Sequence, residues 1–196
     1  MLVGAGIVFV YAIVIYLALG LDSAPDELEE SFKARPWGIY IHIIGSMFAL
    51  IVGPFQFLTR LRNRHLSLHR WMGRIYLTGV LVGGLGGLYV ALYAFGGFSV
   101  RLAFVSLASL WLFTGFMAYK RIRAKDVQSH SEWMTRSYAL TLAAVTLRIW
   151  LGICLGAGIE FTEAYPAIAW FCWVPNLIVA EWLVNRSKLR GVVQPH

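Results

Sequence analysis

Residues 130–152 read HSEWMTRSYALTLAAVTLRIWLG, an apolar run of membrane-crossing length that carries one line of small and polar groups. At 100° per residue, His130, Met134, Ser137, Thr141, Ala144, Arg148 and Gly152 fall within about 40° of one direction on a helix. Lipid does not solvate a guanidinium, and insertion-based scales put an arginine at mid-membrane at about 2.5–3.5 kcal/mol. That line must therefore face protein, water or a cofactor, while the remaining faces meet acyl chains. The stretch reads as one member of a transmembrane helix bundle.

Composition extends this to the whole chain. Of 196 residues, 59% are apolar and 14% charged, and the mean hydropathy is +0.66. Soluble domains carry about 25% charge. The apolar residues fall in blocks of about twenty, the length that crosses a bilayer as helix. The expected fold is all-α: one polytopic bundle over 1–196 with six transmembrane helices, near 3–21, 37–58, 71–95, 101–119, 134–156 and 164–184. Trp37, Trp71, Trp133, Trp182, Tyr119 and Tyr165 sit near proposed ends, where interfacial aromatics gather. The first segment lacks a basic start and a small-x-small cleavage site, so it reads as a retained span. Residues 22–36 are expected to form an acidic loop with a short surface helix, and Pro36 to open span 2.

Charge sets the orientation. Arg60, Arg62, Arg64, Arg70 and Arg74 lie between spans 2 and 3. Lys120, Arg121, Arg123, Lys125 and Arg136 lie between spans 4 and 5, and Arg186, Lys188 and Arg190 follow span 6. Thirteen of the 17 Lys and Arg residues thus fall on one side, opposite Asp22, Asp26, Glu27, Glu29, Glu30, Glu160 and Glu163. The positive-inside rule then puts both termini in the cytoplasm. The partner implied by these basic loops is the lipid bilayer, not nucleic acid. Cys154 and Cys172 show no metal-type or redox-type spacing and read as small apolar filler.

Chemistry is concentrated in the histidines and the faces they share. His69 opens span 3 and His130 precedes span 5, at equal depth on different helices. That arrangement lets two imidazoles reach one haem iron or one transition metal ion. The plain alternative for each is a helix cap or a contact to lipid phosphate; His65, among arginines, reads as a solvated residue. Gly73, Gly83, Gly84 and Gly87 share the His69 face within about 60°. They serve either close helix packing, through small-xxx-small steps, or a wall without side chains for a flat ring. His42, Ser46, Gln56 and Arg60 lie along one face of span 2, and Arg148 sits at a depth comparable to His42. A quinone- or proton-handling pocket is one use of that pair; a hydrogen bond from His42 to Ser46 or to a carbonyl is the other. In span 6, Pro175 predicts a kink beside Asn176. Glu181 is expected either to pair with Arg74 or Arg136 or to exchange protons beside the inner histidines. The polar interior is thus His42, Gln56, Ser137, Thr141, Arg148, Asn176 and Glu181. Hydrolase, zinc-protease, phosphate-loop and dinucleotide signatures are absent, so any catalysis expected is membrane oxidoreduction.

The runs HIIGSMFALIVGPFQF, LHRWMGRIYLTGVLVGGLGGLY, HSEWMTRSYALTLAAVTLRIW and WFCWVPNLIVAEW resemble an uncharacterised family of bacterial predicted membrane proteins over roughly 37–184. The resemblance implies about six helices in a cytoplasmic membrane. Leu68, His69, Trp71 and Gly73 are also similar to the run that opens a haem-ligating helix in transmembrane di-haem cytochromes b of the ascorbate-reductase type. That similarity implies His69 and His130 as axial ligands of haem b, with a quinone or other redox partner. A second haem would need a histidine in span 4, which contains none. Three functions follow: a haem-b electron-transfer protein, a non-haem metal- or quinone-binding protein, or a non-catalytic membrane component whose polar faces only hold helices together.

Overall fold

Long apolar stretches have one stable form in lipid, the helix that satisfies its own backbone. In the computed structural model, which describes residues 26–192, five such helices are long and apolar enough to cross a membrane. They are Pro36–Phe57, Leu66–Ala91, Gly97–Arg123, Val127–Gly156 and Phe161–Leu189. These match the second to sixth expected spans; the expected span 3–21 lies outside the described residues, as do Asp22 and His196.

The described chain runs as α1 (Asp26–Lys33), α2 (Pro36–Val52), a 3-10 turn (Gly53–Phe57), α3 (Thr59–Arg64), α4 (Leu66–Ala91), α5 (Gly97–Arg123), α6 (Val127–Thr141), α7 (Ala143–Gly156), α8 (Phe161–Phe171) and α9 (Val174–Val192). The short surface helix expected after residue 22 is α1, and Pro36 occupies the first turn of α2, where a missing N–H costs nothing. Helix α4 starts at Leu66, five residues before the expected position, because His69 and Arg70 continue the helix beyond its apolar part. The turn into α5 uses Gly96 at φ 96° and Gly97 at φ 84°, a left-handed pair that L side chains rarely adopt.

Two spans are broken. Span 6 parts at Cys172–Trp173, between α8 and α9, just before Pro175, whose ring and missing N–H disfavour a continuous helix there. Span 5 parts at Leu142, with neither glycine nor proline nearby. There the carbonyl of Ala139, which an unbroken helix would pair with the N–H of Ala143, accepts Asn176 Nδ2 from α9 at 3.2 Å. Thr146, four residues after the break, donates its hydroxyl to the carbonyls of Leu142 and, across the seam, Cys172. A polar side chain inserted from a neighbour thus accounts for the break.

Glycines bring α2 and α4 together. A Cβ on Gly45 would lie 2.3 Å from Gly83 N, and one on Gly79 would lie 2.7 Å from the Gly45 carbonyl oxygen. Close approach of this kind replaces the hydrophobic drive that lipid cannot supply. The central core joins Ala49, Tyr76, Val80, Trp111, Ala118, Met134, Tyr138 and Leu140. Phe48, Leu81, Leu85, Phe116, Ile153 and Ile178 are exposed on the outside of the bundle, as a lipid-facing surface requires.

Candidate functional site

The polar groups of the bundle interior fall into layers along its axis. At the end carrying Arg60, Arg62, Arg64 and the α5–α6 turn, His69 on α4 and His130 on α6 lie within electrostatic range of each other. His130 Nδ1 sits 2.8 Å from the carbonyl oxygen of Ala118 and must donate to it, which leaves the ring's Nε2 for another partner. His69 Nδ1 and Gln56 Nε2 are buried without a hydrogen-bond partner among the described residues. Gln56 stands at the end of span 2, with its carbonyl oxygen over Gly73: a Cβ there would approach Oε1 to 3.1 Å. His65 is exposed, as expected.

Midway, a hydroxyl cluster ties three helices. Tyr76 Oη lies 2.8 Å from Ser137 Oγ and 3.1 Å from Thr141 Oγ1. Trp111 Nε1 donates to Thr141 Oγ1 at 2.9 Å, and Thr141 donates to the Ser137 carbonyl at 3.0 Å. Tyr76, seven residues and two turns beyond His69 on the same face, did not stand out in the sequence, nor did Trp111. Tyrosine and tryptophan at membrane depth are read first as apolar, and only a buried partner reveals the polar atom.

Above this cluster opens a cavity of about 310 Å³. Its walls include His42 and Ser46 on α2, Gly83, Gly84 and Gly87 on α4, Trp111 on α5, Thr141 on α6, Arg148 on α7 and Tyr165 on α8. Leu28 and Phe32 of α1 also reach it. His42 Nδ1 lies 2.8 Å from the Gly83 carbonyl oxygen and 3.5 Å from Ser46 Oγ, so the carbonyl is the principal partner. Arg148 lies within electrostatic range of His42 and donates Nη1 to the Ala144 carbonyl at 2.7 Å.

The glycines divide between these layers. Gly73 stays near His69, but Gly83, Gly84 and Gly87 lie about three to four turns further along α4 and border the His42 cavity. They serve packing as well: Gly83 admits the backbone of Ser46, Gly84 the side chain of Leu112, and Gly87 the His42 ring. Sharing a helix face with His69 does not place them at the same depth, since a face runs the length of the helix.

Asn176 and Glu181 lie apart, on the α9 seam. Asn176 Nδ2 bonds Ala139 O, Thr146 Oγ1 and Cys172 O at 3.0–3.2 Å. Glu181 takes Arg136 in a two-pronged ion pair, with Nε to Oε1 at 2.6 Å and Nη2 to Oε2 at 2.9 Å. Of the two partners weighed for Glu181, Arg136 is therefore the one observed. Among the described residues no group of three or more His, Cys, Asp or Glu side chains is arranged to hold a metal ion. Both cysteines are free, with Cys172 buried.

No curated protein and no solved structure matches the chain. A family model does match, over residues 39–184, and it covers three of the five described spans whole and most of the first and last. With its helices, lipid-facing surface and interior polar layers, the chain belongs to the family described as predicted membrane protein (DUF2306).

Proposed function

We propose that this membrane protein binds a lipid-soluble, ring-bearing amphiphile, of which quinones are the fitting class, in the cavity beside His42 and Arg148. One observation carries this: four polar side chains from three helix segments, His42 and Ser46 on α2, Thr141 on α6 and Arg148 on α7, converge on one otherwise apolar cavity. Small-molecule sites have this character, and about 300 Å³ is the lower end of their size range. Gly83, Gly84 and Gly87 offer backbone on one side and Phe104, Trp111 and Tyr165 offer rings elsewhere, surfaces suited to a flat ring. The test is thermal unfolding of the purified protein in micelles with a decyl-substituted benzoquinone and with its hydroquinone. A saturable rise in Tm with at least one of them is expected, and Ala144→Phe, which fills the cavity, should remove it. No shift with either compound overturns the proposal.

A second reading, haem b or a transition metal ion at His69 and His130, is supported by the His130–Ala118 hydrogen bond. Fixing Nδ1 on a carbonyl is how proteins orient an imidazole whose Nε2 serves as ligand. Protein from haem-supplemented cells should then show a Soret band that His69→Ala or His130→Ala bleaches and His65→Ala spares. A colourless preparation without stoichiometric metal overturns it. In both cases we take the membrane to be the bacterial inner membrane, with the basic end of the bundle in the cytoplasm, a placement supported by the distribution of arginine and lysine.

A further inference from the structure

The backbone holds His42 in one tautomer. Its Nδ1 lies 2.8 Å from the Gly83 carbonyl oxygen, and a carbonyl only accepts, so Nδ1 carries the proton. The ring reaches that carbonyl because residue 87 has no side chain: a Cβ there would lie 2.6 Å from Nδ1 and 2.9 Å from Cε1. A neutral imidazole then has its lone pair on Nε2. No donor among the described residues takes up that nitrogen, and it is not a sealed atom. His42 lines the cavity, and Nε2 is the ring nitrogen left to serve it. Arg148, at the same cavity, offers only N–H donors. The site therefore presents one acceptor and one set of donors.

On the reading that the cavity holds a ring-bearing amphiphile, we infer that it selects the hydroxyl-bearing form, a quinol or phenol, over the carbonyl-only quinone. The ligand hydroxyl donates to His42 Nε2. A quinone oxygen at that position would set two lone pairs against each other, whereas Arg148 serves the oxygens of either form. No proton leaves the ligand in this contact, so no electron acceptor is needed.

Equilibrium binding to the full-length protein in micelles, followed by tryptophan fluorescence without oxygen, tests this with three probes. These are a decyl-substituted hydroquinone, its dimethyl ether and the matching benzoquinone. The hydroquinone should bind about fivefold to tenfold more tightly than the other two, the scale of one hydrogen bond. His42→Phe should reduce that gap to less than twofold. Equal affinities in the wild type, or tighter binding of the ether or quinone, overturn the inference and leave the cavity proposal standing. Binding of none overturns both. Should His42→Phe fail to fold, nitrogen NMR of histidine-labelled wild-type protein decides: an Nε2-protonated His42 overturns the inference, an Nδ1-protonated one supports it.

Discussion

Tyr76 is fully buried, and its hydroxyl meets Ser137 and Thr141 inside the bundle. Replacing it with phenylalanine removes two hydrogen bonds and leaves the Ser137 hydroxyl without this partner. Interhelical hydrogen bonds in membranes are worth about 0.6 kcal/mol on average, and an orphaned buried hydroxyl costs about 1–3 kcal/mol. Tyr76→Phe should therefore destabilise the bundle by about 1–2 kcal/mol in denaturant-titrated unfolding. Trp111→Phe should cost less, because Thr141 keeps Tyr76. A wild-type value for Tyr76→Phe would mean that the cluster carries no stability. Residue by residue, Ser137 and Thr141 were legible because a polar group on an apolar helix announces itself. Tyr76 and Trp111 were not, since both residue types also serve as apolar filler or as anchors at the membrane surface. Glu181 illustrates a different limit. The charge was evident, but the choice between Arg74 and Arg136 depended on the rotation of α9 about its axis, which no local pattern encodes.

Helix α2 meets α4 through backbone, and that makes glycine substitutions there unequal. A methyl on Gly45 would run into Gly83 N at 2.3 Å, and backbone atoms cannot turn aside. On Gly84 the obstacle is the Leu112 side chain at 2.6 Å, which can change rotamer, and at Gly152 nothing among the described residues lies within 4 Å. Gly45→Ala should cost about 1–3 kcal/mol, the range for overpacked contacts, with Gly84→Ala smaller and Gly152→Ala near zero. Equal Tm values for Gly45→Ala and Gly152→Ala would rule out this close crossing. Helix α6 permits a test by pH. Its N-cap, Asp126, is hydrogen-bonded by the Ser129 hydroxyl and by the Ser129 backbone N–H, the latter at 3.0 Å, and that bonding, helped by Arg121 at 3.6 Å, holds the carboxyl below its usual range. A depressed value means stabilisation that is complete above the ordinary aspartate pKa of about 3.9 and lost as pH falls through the lower folded value. Asp126→Ala should thus lower Tm at pH 7, and the deficit should shrink steadily as pH falls below about 4. A deficit that does not change with pH would assign the effect to something other than the ionised cap. At this scale the break before Pro175 was legible because proline acts locally. The break at Leu142 was not, because the side chain that opens it, Asn176, arrives from another helix.

Across the whole molecule, alternating spans gather charge of one sign at one end. Helix α3, the α5–α6 turn and the last turns of α9 bring together Arg60, Arg62, Arg64, Lys120, Arg121, Arg123, Lys125, Arg186 and Lys188, while Glu160 and Glu163 cap the opposite end. The number of described spans and this polarity were legible because both follow from sums over many residues, which single exceptions do not upset. The cavity was legible only in part. His42 and Arg148 marked its depth, but its walls come from five spans whose mutual rotation is set by contacts such as Gly45 on Gly83. The same polarity makes the orientation testable. In a background with Cys154→Ala and Cys172→Ala, single cysteines at Arg62→Cys, Lys125→Cys and Glu160→Cys report the two ends. With the basic end in the cytoplasm, a membrane-impermeant maleimide added to intact spheroplasts should label Glu160→Cys and spare the other two until the membrane is opened. Labelling of Arg62→Cys from outside would reverse the orientation, and with it put the His42 cavity in the inner half of the membrane and the His69–His130 pair in the outer half.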